Sequence, residues 1–174
     1  MDNAVLQSLR TRRSVRAFRT EQVPREALDA VLEAGTYAAT GRNKQSPIIL
    51  AVQDPEVREQ LRRLNAAVMG TPDRDPFYGA PTVLVVLADA DVHTHLEDGS
   101  LVLGNLMHAA HAVGLASCWI HRAREEFEGE EGKALLARLG IHGNYVGVGH
   151  LALGYAATDL PAASPRKENY IYYV

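Results

Sequence analysis

The sequence predicts an α+β or α/β layered domain, with a sheet of about four strands and helices on its faces. Three observations predict it. Segments with apolar residues at helical spacing alternate with short, continuous apolar runs of strand length. Clusters of Gly, Pro and Asp stand between them. The chain of 174 residues is 47% hydrophobic, enough for one core that buries roughly 70% of the unfolded surface, so residues 1–174 read as a single domain.

The elements follow in order. Val5, Leu6 and Leu9 mark a short amphipathic helix that breaks near residues 11–14. Pro24 suits the first turn of a second helix, where its missing N–H would have no partner anyway. Ala27, Leu28, Val31 and Leu32 then recur at helical spacing. Residues 48–52 read as a buried strand, and Asp54-Pro55 opens a third helix reaching about Met69. A loop rich in Gly, Pro and Asp (70–81) leads to a continuous, β-branched strand at 82–87. Residues 100–113 are apolar on most sides, and such a helix should be buried on most sides. A chain of this size rarely buries a helix so fully, which points to a subunit interface. After Gly114 come a third strand (117–120), one amphipathic helix (125–139) closed by Gly140, and a glycine-rich strand (145–155). The tail, 170–174, has strong β propensity and need not pair within its own subunit.

Several function classes fall away. A net charge of −3 without a basic stripe disfavours nucleic acid as a partner. A single cysteine, Cys118, excludes an internal disulfide framework and a thiol-rich zinc site, and reads as a small buried residue. Residues 1–13 lack an apolar leader core and the run 81–88 is too short to span a bilayer, so a cytoplasmic protein with no membrane partner is expected. His93 with His95, and His108 with His111, could pair on a metal, but nothing completes either site; no metal is expected, and they read as polar residues at a helix interface. No G-x-G-x-x-G or Walker pattern is present.

Four features could carry chemistry. Arg12-Arg13-Ser14-Val15-Arg16 sits where the first helix breaks: it is either an anion site, since forked guanidiniums match phosphate, or a solvated basic turn. Residues 39–47 hold Asn43 and Gln45, whose amides could read a planar heterocycle or simply belong to a polar loop. Trp119, followed by Ile120 and His121, either lies against an aromatic ligand or packs in the core. Arg166 and Lys167 are further phosphate contacts or solvated surface.

Taken in this order, the pieces resemble the nitroreductase family of FMN-dependent oxidoreductases, its compact branch most of all. The R-x-S-x-R/K turn is matched by Arg12 to Phe18, the amide-bearing loop by Ala38 to Gln45, and the late L-G-Y by Leu153-Gly154-Tyr155. The likeness runs from about Leu9 to Lys167. It implies an α+β fold with a mainly antiparallel sheet of four to five strands, flanked by helices, and a C-terminal strand exchanged between subunits. It implies a homodimer with FMN at the subunit interface.

By the same resemblance, Arg12 with Arg166 or Lys167 would hold the FMN phosphate. Arg13 and Ser14 would contact phosphate, ribityl or ring edge, and Arg16 the pyrimidine edge. Asn43 would bond the isoalloxazine with Gln45 beside it. Trp119 and Ile120 would back the ring, and a backbone N–H near His121 would meet the hydride-accepting nitrogen. NADH or NADPH would give hydride to the flavin, and an electron-poor acceptor such as a nitroaromatic, quinone or enone would take it in a ping-pong scheme. A flavin-binding module with little turnover, or another reductive reaction such as dehalogenation, is the alternative. Where the family motif continues P-W, this chain has Ser46-Pro47-Ile48, and the helical insertion that often covers the substrate site is reduced to 69–81. Phe77 and Tyr78 on that loop are expected to gate the substrate pocket.

Overall fold

The computed structural model describes residues 2–174. Four strands form one sheet: β1 (Pro47–Val52), β2 (Thr82–Asp89), β3 (Ala116–Ile120) and β4 (Tyr145–Gly154), in the order β1-β2-β4-β3. All three pairings are antiparallel. Around it lie α1 (Ala4–Thr11), α2 (Arg25–Thr36), α3 (Pro55–Val68), α4 (His95–Ala112), α5 (Ala123–Glu128) and α6 (Glu130–Arg138). This is the α+β arrangement expected, with four strands.

The central strand explains why the sequence shows a continuous apolar run at 82–87. Val83, Val85 and Leu87 pack into one core with Leu61, Phe77, Phe127 and Leu135. Leu84, Val86 and Ala88 pack into the other with Val31, Leu103 and Leu106. A strand covered on both faces has no reason to alternate. β4 carries a register shift opposite Val86 and Leu87, and its glycines admit close neighbours. A Cβ on Gly147 would stand 2.1 Å from the Ala123 carbonyl oxygen, so α5 starts hard against the strand.

Local chemistry sets the helix ends. The Asp54 carboxylate accepts from the N–H groups of Glu56 and Val57 at 3.0 and 2.9 Å, with Pro55 in the first turn of α3. Pro24 stands one step outside α2, as its cap. The single helix expected at 125–139 is instead two, α5 and α6, joined by Gly129 in an extended conformation. Both bury residues in the same core, Phe127 from one and Leu135 and Leu136 from the other, so the apolar spacing runs through the break.

The two sheet edges differ. Along β3, Ser14 bridges Ser117 in parallel and the Val15 N–H donates to the Ser117 carbonyl at 3.0 Å. Along β1, no segment among the described residues pairs with the outer edge, and Ile48, Ile49 and Leu50 are only half-buried. The β propensity of 170–174 is not realised within the chain: residues 157–174 form no strand and all are exposed. In α4, Val102, Leu103, Leu106 and Ala110 are buried, yet Leu101 is 51% exposed. The all-round apolar helix therefore has one face that its own chain does not cover. Among the described residues, no helix is long and apolar enough to cross a membrane.

Candidate active site

The site begins where α1 stops. Arg12 leaves the helical conformation while its N–H still reaches the Ser8 carbonyl at 3.0 Å. The Arg13 guanidinium turns back and donates to the carbonyls of Arg10 and Arg12, both at 2.7 Å, closing the helix terminus. Two donors at this turn, Arg12 Nη1 and Arg13 Nε, are buried and unpartnered among the described residues. An unmade buried bond costs about 1–3 kcal/mol, a cost that an anion seated at the turn would remove. This donor set fits a phosphate.

From there the chain follows β3 and opens onto a cavity of about 270 Å³. Arg16, Trp119, Ile120, His121 and Tyr78 line it, as do Arg74 and Arg122, which sequence reasoning passed over. Trp119 is half-buried and seated over Gly149, where a Cβ would stand 2.5 Å from the indole Nε1. Cys118, 2% exposed, sits beneath; burial pushes its thiol pKa up, against the opposing pull of Arg16, Ser14 and Arg12. The geometry agrees with a packed thiol rather than a nucleophile.

Phe77 corrects the expectation that it faces the substrate. It is fully buried, its ring centroid 5.3 Å from that of His150 and 5.9 Å from the Arg58 guanidinium carbon. Tyr78 has φ of 56°, and this left-handed residue turns the chain so that the apolar ring goes to the core while the phenol borders the cavity. The loop itself is tied down. Arg58 donates to Asp75 at 2.6 Å and to the Ala80 carbonyl at 2.9 Å, and Arg62 donates to the carbonyls of Pro72 and Arg74 at 2.9 and 2.8 Å. Burial alone would raise the Asp75 pKa, but Arg58 and the N–H groups of Phe77 and Gly79 outweigh it and hold the carboxyl below its usual range. Residues 70–81 are thus tied to α3 by the hydrogen bonds of Arg58 and Arg62.

Behind His121 lies a buried polar cluster. Asn65, Glu126 and His150 are all shielded from solvent. The Asn65 amide donates to the His121 carbonyl at 2.9 Å and to Glu126, and its oxygen accepts from Arg122 Nε at 3.0 Å. Glu126 Oε2 stands 3.1 Å from His150 Nε2, an ion-pair distance although the two are not aligned for a hydrogen bond. Arg122 is itself left-handed, with φ of 79°. The cluster fixes the 121–122 turn at the cavity rim. A histidine alone in the apolar strand 145–154 was a legible signal for it; Asn65 and Glu126 carried none.

The remaining candidates stand elsewhere in the chain. Neither Asn43 nor Gln45 lines this cavity. They sit on a loop where Arg42, Asn43 and Gln45 have φ of 53°, 54° and 50°, each at a cost of order 1–3 kcal/mol. Buried Asp98 helps hold that loop, accepting from the Gly41 N–H at 2.8 Å and the Thr94 hydroxyl at 3.0 Å. The Gln45 amide donates to Asn43 Oδ1 at 3.1 Å. Arg166 donates to the Ser164 carbonyl at 2.7 Å and Lys167 lies 5.2 Å from the Tyr170 ring; neither bonds to the Arg12 turn. His111 contacts the Thr11 hydroxyl at 2.9 Å, and burial and Arg12 lower the pKa of neighbouring His108, consistent with polar residues between helices.

Residues 9–155 match the model of the nitroreductase family. The chain belongs to that family. Its fold superposes on a nitroreductase with bound FMN from Bacteroides fragilis with a TM-score of 0.91 and 31% identity, covering 99% of this chain and all of the other. Two relatives carry the name NADH dehydrogenase/NAD(P)H nitroreductase. The one from Archaeoglobus fulgidus is 29% identical over 155 residues, 86% of this chain and 84% of the relative. The one from Methanothermobacter thermautotrophicus is 26% identical over 119 residues, 66% of this chain, and the match spans only 59% of that longer relative.

Proposed function

We propose that this nitroreductase-family protein is an FMN-dependent oxidoreductase that passes electrons from NADH or NADPH to an electron-poor acceptor. One observation carries the reading: two unsatisfied buried guanidinium donors, on Arg12 and Arg13, stand on the turn that leads to Arg16, which lines one cavity with Trp119 and residues 120–122. That set suits a ligand with a phosphate at one end and a planar ring at the other. Arg12 and Arg13 bind the phosphate, with Ser14 beside it. Arg16 lies at the ring's polar edge, Trp119 and Ile120 back the ring, and the amide near His121 meets its reactive nitrogen. Bound FMN supplies the two-electron chemistry; the chain orients it and sets the local charge. The fixed cation Arg16 favours whichever redox form carries more negative charge. Tyr78 and the fastened 70–81 wall border the space where donor and acceptor enter in turn.

The second half of this reading is a homodimer. Asn43 and Gln45, and the cations Arg166 and Lys167, are absent from the cavity in their own chain. Each sits on a segment suited to reach a second copy, and the strained 42–45 loop is the kind of backbone kept for ligand contact. The open β1 edge accepts the partner's 170–174 tail as a fifth strand, and the exposed face of α4 packs on its symmetry mate. A need for reduced nicotinamide supports a cytoplasmic location.

The visible spectrum of the purified protein tests the activity. Added FMN should bind with a shifted flavin spectrum, and NADH or NADPH should bleach it, with colour returning on addition of menadione. A protein that binds FMN but is not bleached is a flavin module, and one that binds no FMN refutes the reading.

A further inference from the structure

The cavity beside β3 carries more positive charge than a flavin ring needs. Arg16, Arg74 and Arg122 all line it, in a chain whose net charge is −3. Its one lining carboxylate, Asp75, is already answered by Arg58 at 2.6 Å and by the N–H groups of Phe77 and Gly79, each at 2.9 Å. Arg122 spends its Nε on Asn65. The side chain of Arg74 has no hydrogen-bond or ion-pair partner among the described residues, while its carbonyl is gripped from behind by Arg62 at 2.8 Å. Arg74 thus presents an exposed, unpaired guanidinium at the rim of the cavity, on a segment whose backbone is tied to α3. Three like charges around one small space repel each other, and an anion relieves that repulsion. The phosphate end of FMN does not supply it, because the donors that fit a phosphate are those of the α1 terminus.

We propose that the acceptor for this site is an aromatic molecule bearing an acidic group, a carboxylate, sulfonate or phosphate, and that Arg74 selects it. Tyr78 supplies apolar surface for the ring, over a flavin that Trp119 and Ile120 back from the other side; Arg74, with Arg122 on the same cavity, meets the acid. The forked guanidinium suits a planar carboxylate in particular. The inference rests on the oxidoreductase reading for the word acceptor, but the charge preference is a property of the cavity and can be measured without turnover.

Two isosteric probes, 4-nitrobenzoate and 4-nitrobenzamide, test it. Calorimetric titration of the FMN-loaded dimer should show the carboxylate binding about tenfold more tightly than the amide, with the advantage shrinking as salt rises. Arg74→Ala should erase the advantage, Arg74→Lys should keep part of it, and Arg74→Glu should reverse it. In turnover, where the intrinsic reactivities of the two nitro compounds differ, the ratio of their kcat/KM values should fall about tenfold from parent to Arg74→Ala. An unchanged ratio with an unchanged binding difference overturns the proposal. So does an effect of Arg74→Ala confined to the KM of NADPH and absent with NADH, which would assign the cation to the donor's phosphate. A changed FMN dissociation constant or reduction potential with charge selectivity intact would make Arg74 a flavin ligand, also against the proposal. If the parent shows no NADH- or NADPH-driven turnover, the oxidoreductase reading fails, while the titration still decides the charge preference.

Discussion

The two edges of the sheet are finished in opposite ways. β3 is met by its own chain: Ser14 bridges Ser117, Phe18 goes on to bridge Ala156 beyond β4, and the cavity opens there with Arg16, Trp119 and His121 lining it. β1 is left open among the described residues, its own Ile48, Ile49 and Leu50 only half-buried, while the strand-like segment 170–174 is exposed. Bare apolar strand edges invite pairing, and proteins that keep one use it. The cavity at the β3 edge is lined from within one chain, whereas Asn43, Gln45, Arg166 and Lys167 lie away from it.

The open edge gives the largest expected effect. Deleting residues 170–174 removes five exposed residues that touch nothing in their own core, so the monomer fold should survive. The dimer should weaken about a hundredfold, equivalent to roughly 2.7 kcal/mol, and FMN should be lost with it. Sedimentation across the micromolar range reads both, through mass and flavin absorbance. A truncated protein that stays dimeric and yellow would show that β1 is covered by something other than the tail.

The closed edge should instead respond to changes within one chain. Glu126 lies between Asn65 and His150, all three shielded from solvent, so Glu126→Ala leaves both without that partner. Breaking a buried pair of this kind costs about 3 kcal/mol. Glu126→Gln retains an acceptor for Asn65 and should cost less than half as much. Urea unfolding of the two variants gives the comparison; equal, small losses would mean that the cluster does not hold the 121–122 turn. Arg12→Ala should leave stability nearly unchanged and raise the FMN dissociation constant about ten- to a hundredfold, the worth of one charge-assisted phosphate bond of about 1.5–3 kcal/mol. Fluorescence titration with FMN checks it, and an unaltered constant takes Arg12 out of the phosphate site.

How much of this was legible beforehand follows the same division. The covered strands were readable because β2 buries both faces, and the Arg12–Arg16 turn because it sits at a helix break that local spacing marks. Three things were not. Phe77 and Tyr78 are neighbours of similar type, and only the backbone turn at φ of 56° sends one to the core and the other to the cavity. The split of 125–139 was hidden because both short helices feed one core. Asn65 and Glu126 lie far from His150 in sequence and meet it only through packing, so the lone histidine in its apolar strand hinted at a buried polar group without announcing its partners. Arg74 sat unnoticed in a loop whose composition looks flexible, although Arg58 and Arg62 fasten it.

The smallest expected effect concerns that fastening, and its direction with pH is fixed by the charge on Asp75. Its carboxyl titrates below its ordinary value in the folded chain, because Arg58 and two backbone N–H groups favour the ionised form against the opposing effect of burial. The unfolded chain, with an ordinary carboxyl of pKa about 3.9, then binds more protons than the folded one as the pH drops. The stabilisation is therefore complete above about pH 4 to 5 and is lost as the pH falls through the depressed folded value. Asp75→Asn has no charge to titrate there. Its urea midpoint should lie below the parent's at neutral pH and approach it as the solution is acidified toward pH 3, the gap staying modest because the pair is partly open to water. Two curves that run parallel from pH 7 to 3 would show that the wall is held by its carbonyl contacts to Arg58 and Arg62 alone. Tryptophan fluorescence adds a local readout, since Trp119 borders the same cavity as Tyr78 and Arg74. If the carboxylate fastens the wall, the parent's signal should move toward that of Asp75→Asn as the pH falls through the depressed Asp75 value, while the variant's own signal stays level until it unfolds.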